Sequence, residues 1–60
     1  MKFQKGDVVK IYNHDGLGSE VFEGVATVVS QTVFHKNFYV VRFGNGDVVS
    51  RFVDASRQGE

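Results

Sequence analysis

The sequence predicts an all-β fold, and three observations predict it. Short runs of valine and aromatic residues alternate with polar ones, as half-buried strands require. Glycine, asparagine and aspartate punctuate these runs roughly every eight to twelve positions, the spacing of a small barrel or sandwich. No stretch shows the 3.6-residue periodicity of an amphipathic helix, and proline is absent throughout.

The first strand is expected in "DVVKIY", residues 7–12, introduced by Lys5-Gly6. Val9 and Ile11 share one face, and Val8, Lys10 and Tyr12 the other. "NHDGLGSE", residues 13–20, has the composition of a long, polar, mobile loop. The second strand, "VFEGVATVVSQ", residues 21–31, sets Gly24, Ala26 and Val28 against Val25, Thr27 and Val29. Small residues on one face suit a tightly curved strand that another backbone approaches closely. "TVFHKN", residues 32–37, reads as a loop or ragged hairpin.

"VVRFGNGDVVSRF", residues 40–52, reads as a hairpin turning at Asn45-Gly46. A two-residue type I′ loop, with positive φ at both central positions, is the turn such a dipeptide favours. With Gly44 opposite Asp47, Phe43 faces Val48, Val41 faces Ser50 and Tyr39 faces Phe52. The other side then pairs Arg42 with Val49, Val40 with Arg51 and Phe38 with Val53. The set with three aromatic residues and no charge is expected inside, the set with both arginines outside. After Phe52, "VDAS" is expected to make a short three-ten turn, and residues 57–60 a frayed tail.

The chain of 60 residues is one domain, residues 1–60, near the lower limit at which a chain folds alone. It has no cysteine, which removes disulfides and thiolate metal sites, so regular packing or self-association must supply stability. Seven Lys/Arg balance seven Asp/Glu, which counts against strong non-specific nucleic-acid binding but leaves room for a local basic face. No basic segment leads into an apolar one, and no apolar run reaches about 18 residues. A soluble cytoplasmic protein is expected.

"KGDVVKI" followed by Gly24-Val25-Ala26-Thr27-Val28 resembles the opening pattern of KOW-type SH3-like barrels, found in ribosomal proteins and transcription elongation factors. "YVVRFGNGDVVSRFV" is similar to the later hairpin of that architecture. The resemblance spans about residues 3–56, and its short motifs speak for fold rather than function. It implies a five-stranded barrel with a short three-ten turn before the last strand. More distantly, the length and layout resemble the plasmid-borne type II dihydrofolate reductases, tetramers whose pore is lined by a Val-Gln-Ile-Tyr segment. The matching stretch here reads Val49-Ser50-Arg51-Phe52, without that Gln and Tyr. SH3 signalling domains are a weaker likeness, since neither a tryptophan nor an "ALYDY" segment is present.

Three candidate sites follow. The first is the outer hairpin face, Phe38, Val40, Arg42, Val49 and Arg51 with Val25 and Val29. Its mixture of aromatic, aliphatic and arginine side chains is that of a protein interface or a base-stacking platform, and a homo-oligomer would bury it equally well. The second is the acidic loop carrying Asp15 and Glu20, continuing to Phe22 and Glu23, which suits a basic protein surface. Although His14 is nearby, the loop lacks the alternating oxygen ligands of a calcium site, so no metal is expected. The third is Phe34, His35 and Lys36 at a loop tip, a combination that stacks on bases and contacts phosphate. No nucleophile motif or phosphate loop is present, and neither catalysis nor a cofactor is expected. The expected function is therefore a non-enzymatic regulatory module. It would bind a protein partner, in transcription or translation by the resemblance, with nucleic-acid binding as the alternative and an oligomeric reductase as the third reading.

Overall fold

The structure, a computed structural model, describes residues 3–33 and 36–58. Four strands, β1 (Val8–His14), β2 (Glu20–Gln31), β3 (Phe38–Phe43) and β4 (Val48–Phe52), form one antiparallel sheet in chain order. A three-ten turn, Ala55–Arg57, follows. The fold is all-β as expected. Among the described residues there are four strands rather than five, and none follows the three-ten turn.

Alternation builds the core. Val9 and Ile11 from β1, Ala26 and Val28 from β2, Tyr39 and Val41 from β3, and Val53 after β4 are buried together. Phe3, Phe43 and Val49 pack against them. Phe3 meets the Tyr39 ring edge-on, with centroids 5.8 Å apart, and donates its N–H to the Tyr39 hydroxyl at 3.2 Å.

The long β2 bends at two irregularities. Its register against β1 shifts between Ile11 and Tyr12, leaving Glu23 without an opposite residue. Its register against β3 shifts between Val28 and Ser30, leaving Val29 extra. Extra residues of this kind bend a strand and raise its twist, which lets a four-stranded sheet curl. At the first, Gly24 has φ +150°, and a Cβ there would lie 3.4 Å from the Phe43 ring. The close neighbour of this small-residue face is thus a side chain, not a backbone.

The predicted mobile loop is shorter and more ordered than its composition suggests. β1 runs to His14 and β2 starts at Glu20, paired with it. Asp15 closes what remains: its Oδ1 accepts from Leu17 N–H at 2.7 Å and Ser19 N–H at 3.2 Å, and its own N–H donates to Ser19 C=O at 3.0 Å.

The β3–β4 hairpin is present, but its turn differs from the expected type I′. Only Gly46 has positive φ, at +95°, and Asn45 does not. Gly46 N–H donates to Phe43 C=O, and Phe43 N–H to Asp47 C=O, both at 2.9 Å. These bonds define a three-residue loop, Gly44-Asn45-Gly46, ending in a glycine bulge. The added loop residue moves every pairing by one: Phe38 faces Phe52, Tyr39 faces Arg51, Val40 faces Ser50, Val41 faces Val49 and Arg42 faces Val48. The β3 faces stand as expected, while those of β4 are exchanged. Val49 and Arg51, expected outside, share the face of buried Val41 and Tyr39. Phe52, expected inside, lies outside and is 59% exposed, and Val53, expected outside, is buried.

Candidate functional site

The exchange redraws the outer face. A single row crosses all four strands in register: Val8 opposite Thr27, Thr27 opposite Arg42, Arg42 opposite Val48. Val25 is exposed on the same face of β2, and half-buried Val40 precedes the Phe38–Phe52 pair, whose centroids are 4.7 Å apart. Val8 at 69% and Val48 at 57% exposure make this an open apolar strip rather than scattered single residues. Arg42 is exposed at its centre, with no acidic partner among the described residues.

Of the predicted interface, the structure places Phe38, Val40 and Arg42 together on this face and removes Val49 and Arg51. Val49 packs against the core. Arg51 reaches Glu23, with Nε to Oε1 at 2.8 Å and Nη2 to Oε2 at 3.0 Å. Hydrogen bonding from the guanidinium holds the Glu23 carboxyl below the ordinary glutamate range, against a smaller opposing effect of burial. The same bond raises the Arg51 value. Val8, Val48 and Phe52 belong to the face although sequence reasoning assigned none of them to it. The signal for Val48 and Phe52 was the second glycine of Gly44-Asn45-Gly46, which permits the longer loop.

The second candidate is divided. Asp15 is committed to its own loop. Glu20 accepts from the Arg57 guanidinium at 2.8 Å, and that guanidinium lies 4.7 Å above the Tyr12 ring. Phe22, half exposed, packs against the Tyr12 ring at 5.3 Å between centroids. Of the third candidate, Phe34 and His35 lie outside the described residues. Lys36 is exposed, and its carbonyl accepts from the Gln31 amide at 2.8 Å.

A groove of about 430 Å³ runs between the two edge strands. Tyr12, Asn13 and His14 of β1 form one side, and Ser50, Arg51 and Phe52 of β4 the other. Glu20, Phe38 and Asp54 complete it. Asp54 Oδ1 accepts from the Ser56 hydroxyl at 2.7 Å and the Ser56 N–H at 2.9 Å, which lowers its carboxyl value. Farther along β1, the Gln58 side chain bonds the open edge of the strand at Lys10. Its Oε1 accepts from Lys10 N–H at 2.7 Å and its Nε2 donates to Lys10 C=O at 3.0 Å. At the far end, Asn13 Oδ1 accepts from His14 N–H at 3.0 Å.

Among the described residues, no cluster of three or more His, Cys, Asp or Glu is placed to hold a metal ion, and no helix is long and apolar enough to cross a membrane. No protein family matches the chain, and no curated protein or solved structure is significantly similar to it.

Proposed function

We propose that this chain is a non-enzymatic interaction module, a small SH3-like barrel that binds a protein partner through its outer sheet face. Partners in the cytoplasmic transcription or translation machinery are the class that the KOW resemblance implies. The strands in meander order support the barrel reading, as does the Gln58 amide standing where a fifth strand would close the edge of β1.

The observation that carries the binding reading is the exposed row Val8–Thr27–Arg42–Val48, with Val25 beside it. An apolar strip around one arginine matches the composition of protein interfaces, where Arg is enriched and Lys and Glu are depleted. Nucleic-acid binding is less well supported. One of the two arginines it would use is neutralised by Glu23, which leaves Arg42 and Lys36 as cations for phosphate.

The test is affinity capture from lysate of the source organism by wild type, Arg42→Glu and Arg51→Glu, with a salt series on the captured complex. Arg42→Glu should abolish capture while remaining folded. Arg51→Glu should lower stability and retain capture at low temperature. Unchanged capture by Arg42→Glu would remove the face from consideration. A loss of roughly 0.7–0.9 log units of affinity per phosphate contact for each log unit of salt would favour nucleic acid instead. Turnover in a folate-reduction assay at high protein concentration would overturn the non-enzymatic reading.

A further inference from the structure

The two edges of the sheet are not equally protected. On β1, pairing alternates so that Lys10 turns its N–H and C=O away from β2, and Gln58 takes both. On β4 the bonds Phe43–Asp47 and Val53–Asn37 fix the alternation. Residues 49 and 51 bond to β3, and residues 48 and 50 point their backbone groups outward, with Ser50 lining the groove. The Ser50 carbonyl receives the Arg51 Nη1 at 2.9 Å, and a carbonyl accepts a second bond. No side-chain amide caps the Ser50 N–H among the described residues. An exposed apolar edge is a template for one more strand, and here it borders a groove rather than open solvent.

We propose that the β4 edge receives an extended, basic and apolar segment of a protein partner, paired as an added strand on Ser50. The groove accommodates only a few residues of extended chain. That suits a lone strand better than a second copy of this chain, whose β4 would bring its own β3 along. Tyr12, Phe38 and Phe52 offer apolar contact to alternate side chains of such a segment. Charge sets its sign. Arg51 pairs with Glu23, and Arg57 pairs with Glu20 and also acts on the Asp54 charge, so two arginines stand against three carboxylates around the groove and one negative charge is in excess. A lysine or arginine of the partner complements it. The proposal rests on the reading that this chain binds proteins, and it adds a second surface to the outer face.

The probes are synthetic six-residue peptides alternating lysine with valine, the same peptide N-methylated at alternate residues, and a glutamate–valine control. Binding is followed by amide NMR on the whole chain. The lysine–valine peptide should shift the amides of residues 48–52 and slow exchange of the Ser50 N–H. N-methylation, which deletes backbone donors, should weaken binding by about tenfold. Asp54→Asn should weaken it about two- to fivefold. Ser50→Pro should abolish it while keeping the sheet, because the lost N–H points away from β3. Equal binding by the glutamate–valine or N-methylated peptide, or no binding by any, would overturn the proposal. Shifts confined to Val8, Val25 and Arg42 would overturn it too, yet leave the outer-face reading standing. Ser50 protection that grows with protein concentration alone would make the occupant a second copy and overturn the peptide assignment.

Discussion

Arg51 and Glu23 form a two-point ion pair, with both carboxylate oxygens held by one guanidinium at 2.8 and 3.0 Å. They lie on β4 and β2, strands separated in the sheet by β3, so the pair spans an element rather than decorating one. Half-exposed pairs contribute about 0.2–1 kcal/mol, and two-point geometry favours the upper end. Glu23→Gln should lower Tm, at roughly 4–8 °C per kcal/mol in a domain of this size. The Glu23 carboxyl is held down in the folded state. Its contribution is therefore complete above the unfolded value of about 4.3 and lost as pH falls through the lower folded value. Thermal melts between neutral pH and pH 3 should show a smaller acid loss in Glu23→Gln than in wild type.

Gly46 is the left-handed residue on which the hairpin loop depends. Its φ of +95° excludes a β-branched residue without strain, although a Cβ there meets no neighbour within 4 Å. Gly46→Val should therefore cost about 1–3 kcal/mol through backbone conformation alone. Gly46→Asn should cost less, since asparagine visits this region more readily. Urea midpoints of the two variants separate conformation from packing.

Tyr39, at 1% exposure, is the buried aromatic of β3, whereas Phe43 is only half-buried beside Gly24. Tyr39→Ala should cost about 3–5 kcal/mol and leave little folded protein. Phe43→Ala should cost less and remain folded in the cold. Tyr39→Phe, which deletes the acceptor for Phe3 N–H, should cost about 0.5–1.5 kcal/mol. Circular dichroism melts of the three variants order them.

Gln58 holds the edge of β1 through one amide. Gln58→Glu keeps the acceptor for Lys10 N–H and loses the donor to Lys10 C=O, so it should fall between wild type and Gln58→Ala. The alanine variant should lose about 1 kcal/mol. It should also show concentration-dependent light scattering, because an uncovered edge pairs with other chains.

Much of the fold was legible in the sequence. Alternation located all four strands, and the small residues of β2 marked its curved face. The β3 faces followed from placing Tyr39, Val41 and Phe43 inside. The β4 faces did not follow, because Gly44-Asn45-Gly46 supports two loop lengths. The longer loop holds here: Asn45 Oδ1 accepts from Asp47 N–H, and Asn45 Nδ2 donates to Asp47 Oδ2, both at 3.0 Å. Such side-chain closure gives asparagine a turn without positive φ, and local propensity does not count the loop residues. The Glu23–Arg51 pair depends on that choice together with the irregularity in β2, so no sequence pattern reveals it. Gln58 was hidden for a different reason: a polar residue near the end of a chain looks frayed until a strand edge needs an amide.

The register of the hairpin determines which arginine faces outward, and backbone NMR reads it directly. In antiparallel sheets the α-protons of non-hydrogen-bonded pairs approach most closely. The structure predicts strong α-proton cross-peaks between Val40 and Ser50 and between Arg42 and Val48. Strong cross-peaks between Phe43 and Val48 and between Val41 and Ser50, the close pairs of the two-residue loop, would contradict it, returning Arg51 to the outer face and taking Val48 and Phe52 away from it.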